Sequence, residues 1–209
     1  MMRIDTVASQ PDRAGRHTVR FADGTTLRLY RQTVEDFCLY PGLEMTQEEF
    51  GKLEEAAGAM SAKMRAVRIV AASSVSQKDL QQRLVSKGET LEHAKNAVQW
   101  MTDLQLLDDR KTAEQVVSRC ISKGYGIARA KQALYEKRIP KQYWDEALRD
   151  YPEQADAILA FLRDRLDDTS DERDIKRAID ALLRKGHSYS KIRHGLEKLS
   201  LETDEFPEE

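Results

Sequence analysis

The sequence predicts a mostly α-helical protein: tandem three-helix repeats forming an elongated, curved array, behind a small N-terminal antiparallel β-hairpin and acidic helices. Three observations predict it. A helix–turn–helix pattern occurs three times, an alternating apolar pattern is confined to residues 3–30, and charge changes sign in zones along a nearly neutral chain. The 209 residues are 33% charged and 40% hydrophobic, a globular balance rather than a disordered one.

The alternating segment comes first. In RIDTVASQ, Ile4, Thr6 and Ala8 fall on one side; Val19 and Phe21, then Leu27 and Leu29, repeat the pattern. Asp23-Gly24 lies between the last two runs and predicts a hairpin through a type I′ turn, which needs positive φ. A sheet of two or three strands is too small to be stable unless its apolar face packs on something else. Helices are expected over 32–40 and 46–59, the second opened by a capping box of Thr46 and Glu49. From Glu35 to Met60 seven acids face one base, Lys52, for a local charge of −6.

The repeat is visible by self-alignment. KGYGIARAKQAL (123–134) matches KGHSYSKIRHGL (185–196) and SSVSQKDLQQRL (73–84) without gaps, so Leu84, Leu134 and Leu196 coincide, as do Leu80, Ala130 and Ile192. The preceding helix aligns through Val116, Val117, Cys120 and Ile121, through Ala178, Ile179, Leu182 and Leu183, and through Ala66, Val67, Val70 and Ala71. Each set has the spacing of one buried helical stripe. Gly124 and Gly186 suit the left-handed position that ends a helix. Thr90 and Pro140 open a third helix in the first two copies, over 91–101 and 141–151. The expected divisions are a hairpin and acidic helical extension over 1–59, repeats over 60–105, 106–165 and 166–201, the last with a weak or absent third helix, and an acidic tail over 202–209.

Charge follows these divisions. Residues 110–141 hold nine bases and two acids, a net +7; 60–101 and 172–198 are each +4; 145–171 is −6. On the second helix of the second repeat, Ile127, Ala130 and Leu134 are expected to face inward, with Arg129 pointing away and Lys131 and Arg138 flanking. Tyr125 at the helix start suits either stacking on a base or local packing. Basic helix faces are often only solvated surface, so this positive potential is the attraction for a polyanion and not a proof of one.

Little points to catalysis. His17, His93, His187 and His194 have no carboxylate or thiol at metal-ligand spacing, and no phosphate-binding glycine loop or nucleophile elbow is present. Asp108-Asp109 and Asp167-Asp168 each precede a helix and read as N-caps rather than a Mg²⁺ site. No enzyme activity, metal or cofactor is expected. Cys38 and Cys120 read as free, buried thiols. No run approaches the roughly 20 apolar residues of a membrane span, and the N-terminus lacks a signal-peptide core; a cytoplasmic monomer with no membrane partner is expected.

The stretch 106–134 resembles the RecX family, regulators of the RecA recombinase, through Leu107-Asp108-Asp109 and Lys123-Gly124-Tyr125-Gly126. Leu106 stands where the family has Tyr, and Ala113 where an aromatic is common. KGHSYSKIRHGL resembles the family's third-repeat motif, with His187 in place of Phe. RIDTV, FADGTTLRLY and PGLEMTQEEFGKL resemble the extension of the longer members. The first repeat departs most, at 71–76.

The resemblance implies a non-enzymatic protein that binds RecA and the groove of the RecA–DNA filament. It implies modulation, in the direction of inhibition, of recombinase, ATPase and coprotease activity in DNA repair and the SOS response. Direct DNA contact is a second implied interaction, and a DNA-binding helical repeat protein acting without RecA is the alternative. The residues expected to meet RecA or DNA are Arg119, Lys123, Tyr125, Arg129, Lys131, Lys137, Arg138, Lys185, Lys191 and Arg193.

Overall fold

Four strands, one more than the alternation suggests, build the N-terminal sheet of this computed structural model. They are β1 (Met2–Val7), β2 (Arg16–Phe21), β3 (Thr26–Tyr30) and β4 (Glu44–Met45), in the antiparallel order β3-β2-β1-β4. The fourth strand is two residues long, pairing Met2 with Met45 and Arg3 with Glu44, too short for an alternating pattern to reveal. The turn at Asp23-Gly24 is not type I′, because Gly24 alone has positive φ, at 90°. The Gly24 amide donates to the Phe21 carbonyl at 3.0 Å and the Phe21 amide to the Thr25 carbonyl at 2.9 Å, a turn closed by a glycine bulge. A second bulge lies between Ile4 and Thr6. The extra residue reverses the pleat, so Ile4 and Val7 pack into the core while Thr6 is exposed, contrary to the expected alternation.

The structure describes residues 1–167 and 170–205, of which 201–205 by backbone only. Helix α1 (Arg31–Asp36) stops short of Tyr40. Cys38 takes the left-handed position beyond it, at φ 48°, and its side chain is exposed rather than buried as expected. Helix α2 runs unbroken over Gln47–Ala72. Its start is the predicted capping box: the Glu49 amide donates to Thr46 Oγ1 at 3.2 Å and the Thr46 amide to Glu49 Oε2 at 2.7 Å. The expected boundary at 59/60 falls inside this helix. Gly58 does not end it but leaves room for the His93 ring, where an added Cβ would lie 2.3 Å from Cε1.

One end of α2 covers the sheet and the other joins α3 (Gln77–Ser86) and α4 (Leu91–Asp103). Phe50 and Leu53 close the sheet core with Ile4, Val19, Phe21 and Leu29, the Phe21 and Phe50 rings meeting edge to face at 5.1 Å. Ala62 and Ala66 pack with Leu80, Leu84, Ala94, Ala97 and Met101. Small residues on α2 let it approach the bulky residues of its partners. Thr90 caps α4 as expected, its hydroxyl accepting from the His93 amide at 3.1 Å.

A second compact unit begins at Asp109. Helices α5 (Asp109–Ser122) and α6 (Ile127–Glu136) are followed by a 3-10 turn (Lys141–Tyr143) and α7 (Trp144–Leu148), so the third helix expected over 141–151 is shorter and begins as 3-10. Their core is Ala113, Val117, Cys120, Ala130, Leu134, Ile139 and Leu148. Helix α8 (Ala155–Arg163), a helix not expected there and lying within the bounds drawn for the second repeat, shares a core with α9 (Glu172–Arg184) and α10 (Tyr189–Glu205). Ile158 and Leu162 lie against Gly195 of α10, where a Cβ would come within 2.8 Å of Ile158 Cγ2. Gly195 stands where the other copies have Arg83 and Ala133, which is why α8 can pack here.

The aligned positions behave as equivalents. Leu80, Ala130 and Ile192 are all fully buried; Leu84 and Leu134 are too, whereas Leu196 is half-buried. The stripe on the preceding helices fails at two places, since Ala71 and Leu183 are exposed. Asp171, not the Asp167-Asp168 pair, caps α9 by accepting from the Arg173 and Asp174 amides at 2.8 and 3.0 Å. Asp168 and residues 206–209 of the expected tail lie outside the described residues. Among those described, no helix is long and apolar enough to cross a membrane.

Candidate interaction surface

The expected site residues sit on α5, α6 and α10 and in the turns that follow α5, α6 and α9, all within the second unit. Two Lys-Gly turns organise them. Gly124 ends α5 at φ 62° and Gly186 ends α9 at φ 86°, the left-handed geometry predicted for both. These turns face each other. The Gly126 amide donates to the Lys185 carbonyl at 2.9 Å, and His187 Nε2 lies 3.0 Å from the Gly124 carbonyl oxygen. A Cβ on Gly126 would sit 2.0 Å from the Gly186 oxygen, and one on Gly186 would sit 2.4 Å from the Arg129 amide nitrogen. Backbone meets backbone here because Gly126 and Gly186 carry no side chain between them. Alignment marks Gly124 and Gly186 as helix ends, but nothing in it shows that they touch, and His187 reads there as an isolated histidine.

Arg119, Lys123 and Lys131 are exposed. Together with Arg129, Arg119 and Lys123 act on the buried Cys120 thiol: burial pushes its pKa up, and these three cations pull against that rise. Three of the ten expected residues are thereby brought around one point of α5. Arg119 also lines an open depression of about 490 Å³ with Glu114, Gln115, Ser118 and Ser122.

Other expected residues are engaged. Arg129 is half-buried, its backbone and Cβ lying against Gly186, and its Nη1 reaches Glu136 Oε1 at 3.1 Å. Ile127, expected to face inward, is 44% exposed, because the helix start turns it outside the module. Tyr125 packs locally: its ring lies on the second-module core and its carbonyl accepts from the Tyr151 hydroxyl at 2.6 Å. Burial drives the Tyr151 pKa up to about 12. Lys137 and Arg138 terminate α6 and are half-buried, Arg138 at φ 54°.

Around the third-module turn, Lys185 Nζ stands 4.4 Å from the centroid of the Phe161 ring, Lys191 Nζ is 2.8 Å from Glu153 Oε2, and Arg193 Nε is 3.0 Å from Glu197 Oε1. Exposed pairs of this kind exchange partners readily, since each contributes at most about 1 kcal/mol. Among the described residues no group of three or more His, Cys, Asp or Glu side chains is placed to hold a metal ion.

Comparison with known proteins joins this surface to a family. Residues 108–148 match the model for RecX, second three-helix domain, the segment that carries α5, α6 and α7. The chain is 24% identical over 140 residues to the Regulatory protein RecX of Vibrio campbellii, covering 66% of this chain and 90% of that one. It is 29% identical over 96 residues to that of Shigella dysenteriae, covering 41% and 58%. Among solved structures, one described as regulatory protein RecX superposes with a TM-score of 0.61 at 20% identity, covering 93% of this chain and all of that one. RecX from Lactobacillus salivarius superposes at 0.58 with 22% identity, covering 70% and 99%.

Proposed function

Starting from this chain's similarity to RecX proteins, we propose that it is a non-enzymatic regulator that binds RecA and the RecA–ssDNA filament and lowers RecA's recombinase, ATPase and coprotease activity. One observation carries the reading: the segment that matches the RecX second three-helix domain is also the segment of highest positive charge, with Arg119, Lys123 and Lys131 exposed on it. Basic side chains on a rigid helical module meet acidic protein surface or phosphate equally well, and several weak contacts on successive modules add avidity without one strong site. A role in DNA repair and the SOS response follows from the same reading.

The test is a RecA filament assembled on single-stranded DNA, with ATP hydrolysis and filament disassembly followed as the protein is added. Binding with slower hydrolysis supports the reading. Charge reversal at Lys123 and Lys131 together should weaken it. No association and no change in hydrolysis would sink it. A DNA-binding protein acting without RecA would instead bind bare DNA and leave DNA-free RecA untouched.

A further inference from the structure

The solvent face of the N-terminal sheet carries arginines that the fold does not use. Arg20 on β2 and Arg28 on β3 are exposed, and among the described residues neither makes a hydrogen bond or ion pair. Both line an open groove of about 550 Å³ with Asp5, Thr18 and Thr26. Register places them regularly: Arg20 is paired with Thr26 and Thr18 with Arg28, so the two guanidinium groups stand on a diagonal, each with a threonine hydroxyl directly across the strand. Neighbouring strands are about 4.8 Å apart, which spaces diagonal side chains by roughly 7–8 Å. The acids at hand are Asp5 at the groove edge, Asp23, Glu44 opposite Arg3, and Asp12. Asp23 is occupied by the Thr25 amide and hydroxyl, and Asp12 is held by Arg16, whose amide and guanidinium bring its carboxyl pKa down to about 2.

We infer that this face is a docking surface for the sugar–phosphate backbone of duplex DNA. Charge complementarity and side-chain chemistry select that occupant. Arginine forks and hydroxyl donors are the groups that hold phosphate oxygens without reading bases. Outward side chains on β2 and β3 include no exposed leucine, valine or phenylalanine, whereas protein interfaces are anchored by buried aromatic and apolar side chains. The aromatic residue of the groove, Phe21, is only 2% exposed and packs into the sheet core, so it offers no stacking platform of the kind single-strand binding uses. The surface lies outside the basic helices that carry the RecA reading, and the two stand or fall separately.

The test is fluorescence anisotropy of the full chain with a labelled mixed-sequence duplex, across a salt series. Arg20→Gln/Arg28→Gln should weaken binding about tenfold at low salt and reduce the log–log salt slope by roughly 1.8, about 0.9 for each phosphate no longer neutralised. Arg20→Lys/Arg28→Lys should keep most of that slope. Either single Gln variant should remove about half of the slope change, which preserves the test if the double variant melts early. The inference is overturned if the parent does not bind duplex, if the double Gln variant binds with unchanged slope, or if a glutamate-rich peptide of matched charge displaces the duplex. That last result would place an acidic protein segment on the face. Association with DNA-free RecA should be the same for parent and double variant; a loss there alone would tell against the helical-surface reading instead.

Discussion

His187 Nε2 sits 3.0 Å from the carbonyl oxygen of Gly124, a residue 63 positions earlier, and this contact joins the turn that ends α9 to the turn that ends α5. His187 is 5% exposed. A ring nitrogen facing a carbonyl oxygen must carry the proton, so the bond also sets the tautomer.

That contact makes stability depend on pH. Burial pushes the His187 pKa below its ordinary 6.5, Lys185 and Lys191 push the same way, and the Gly124 carbonyl opposes them. Below 6.5 the unfolded chain therefore binds a proton that the folded chain resists. The stability is full above that value and falls as pH drops through it towards the folded pKa. Melting temperatures between about pH 7.5 and 5 should decline more for the parent than for His187→Phe, which loses the hydrogen bond at every pH but has nothing to titrate.

Gly186 and Gly88 both have strongly positive φ, 86° and 93°, yet only Gly186 is enclosed. Gly88→Ala should cost about 1–2 kcal/mol, the conformational penalty alone. Gly186→Ala adds a Cβ 2.4 Å from the Arg129 amide nitrogen and 2.6 Å from its Cβ, so it should cost about 1–3 kcal/mol more through overpacking. Urea midpoints for the two variants, compared with the parent, give the difference directly.

Thr46→Ala should destabilise by about 1 kcal/mol, since it removes a helix cap. The Thr46 amide and hydroxyl also hold the Glu49 carboxyl below its ordinary value. The part of the stabilisation that comes from the carboxylate is therefore present at neutral pH and is lost as pH falls through the lowered pKa, whereas the bond from the Glu49 amide to Thr46 Oγ1 does not titrate. Thermal melts of Thr46→Ala and parent should differ at pH 7, and the difference should narrow without vanishing in strong acid.

Leu80→Ala and Ile127→Ala delete apolar atoms from residues that the sequence alone treats alike. Leu80 is fully buried, so its truncation should cost about 2–5 kcal/mol. Ile127 is 44% exposed, and its truncation should change stability by no more than about 0.5 kcal/mol. Chemical denaturation of both variants checks the pair.

Local features of this protein are legible in the chain alone. The capping box at Thr46, the left-handed turns at Gly124 and Gly186 and the buried equivalence of Leu80, Ala130 and Ile192 follow from dihedral preference and helical spacing within a few residues, so pattern exposes them. The motif at 106–126 points to the family in the same way. Which helices share a core is settled by long-range packing: α2 runs through the expected boundary at 59/60, and α8 leaves the second repeat because Gly195 offers it a flat surface on α10. Folding also presses the Arg129 backbone against Gly186 at a junction, while among the described residues Arg20 and Arg28 make no hydrogen bond or ion pair on the sheet. Propensity acts over one turn of chain, whereas burial and charge pairing depend on what folds back from dozens of residues away, and a glycine that ends a helix reads the same whether or not another backbone presses against it.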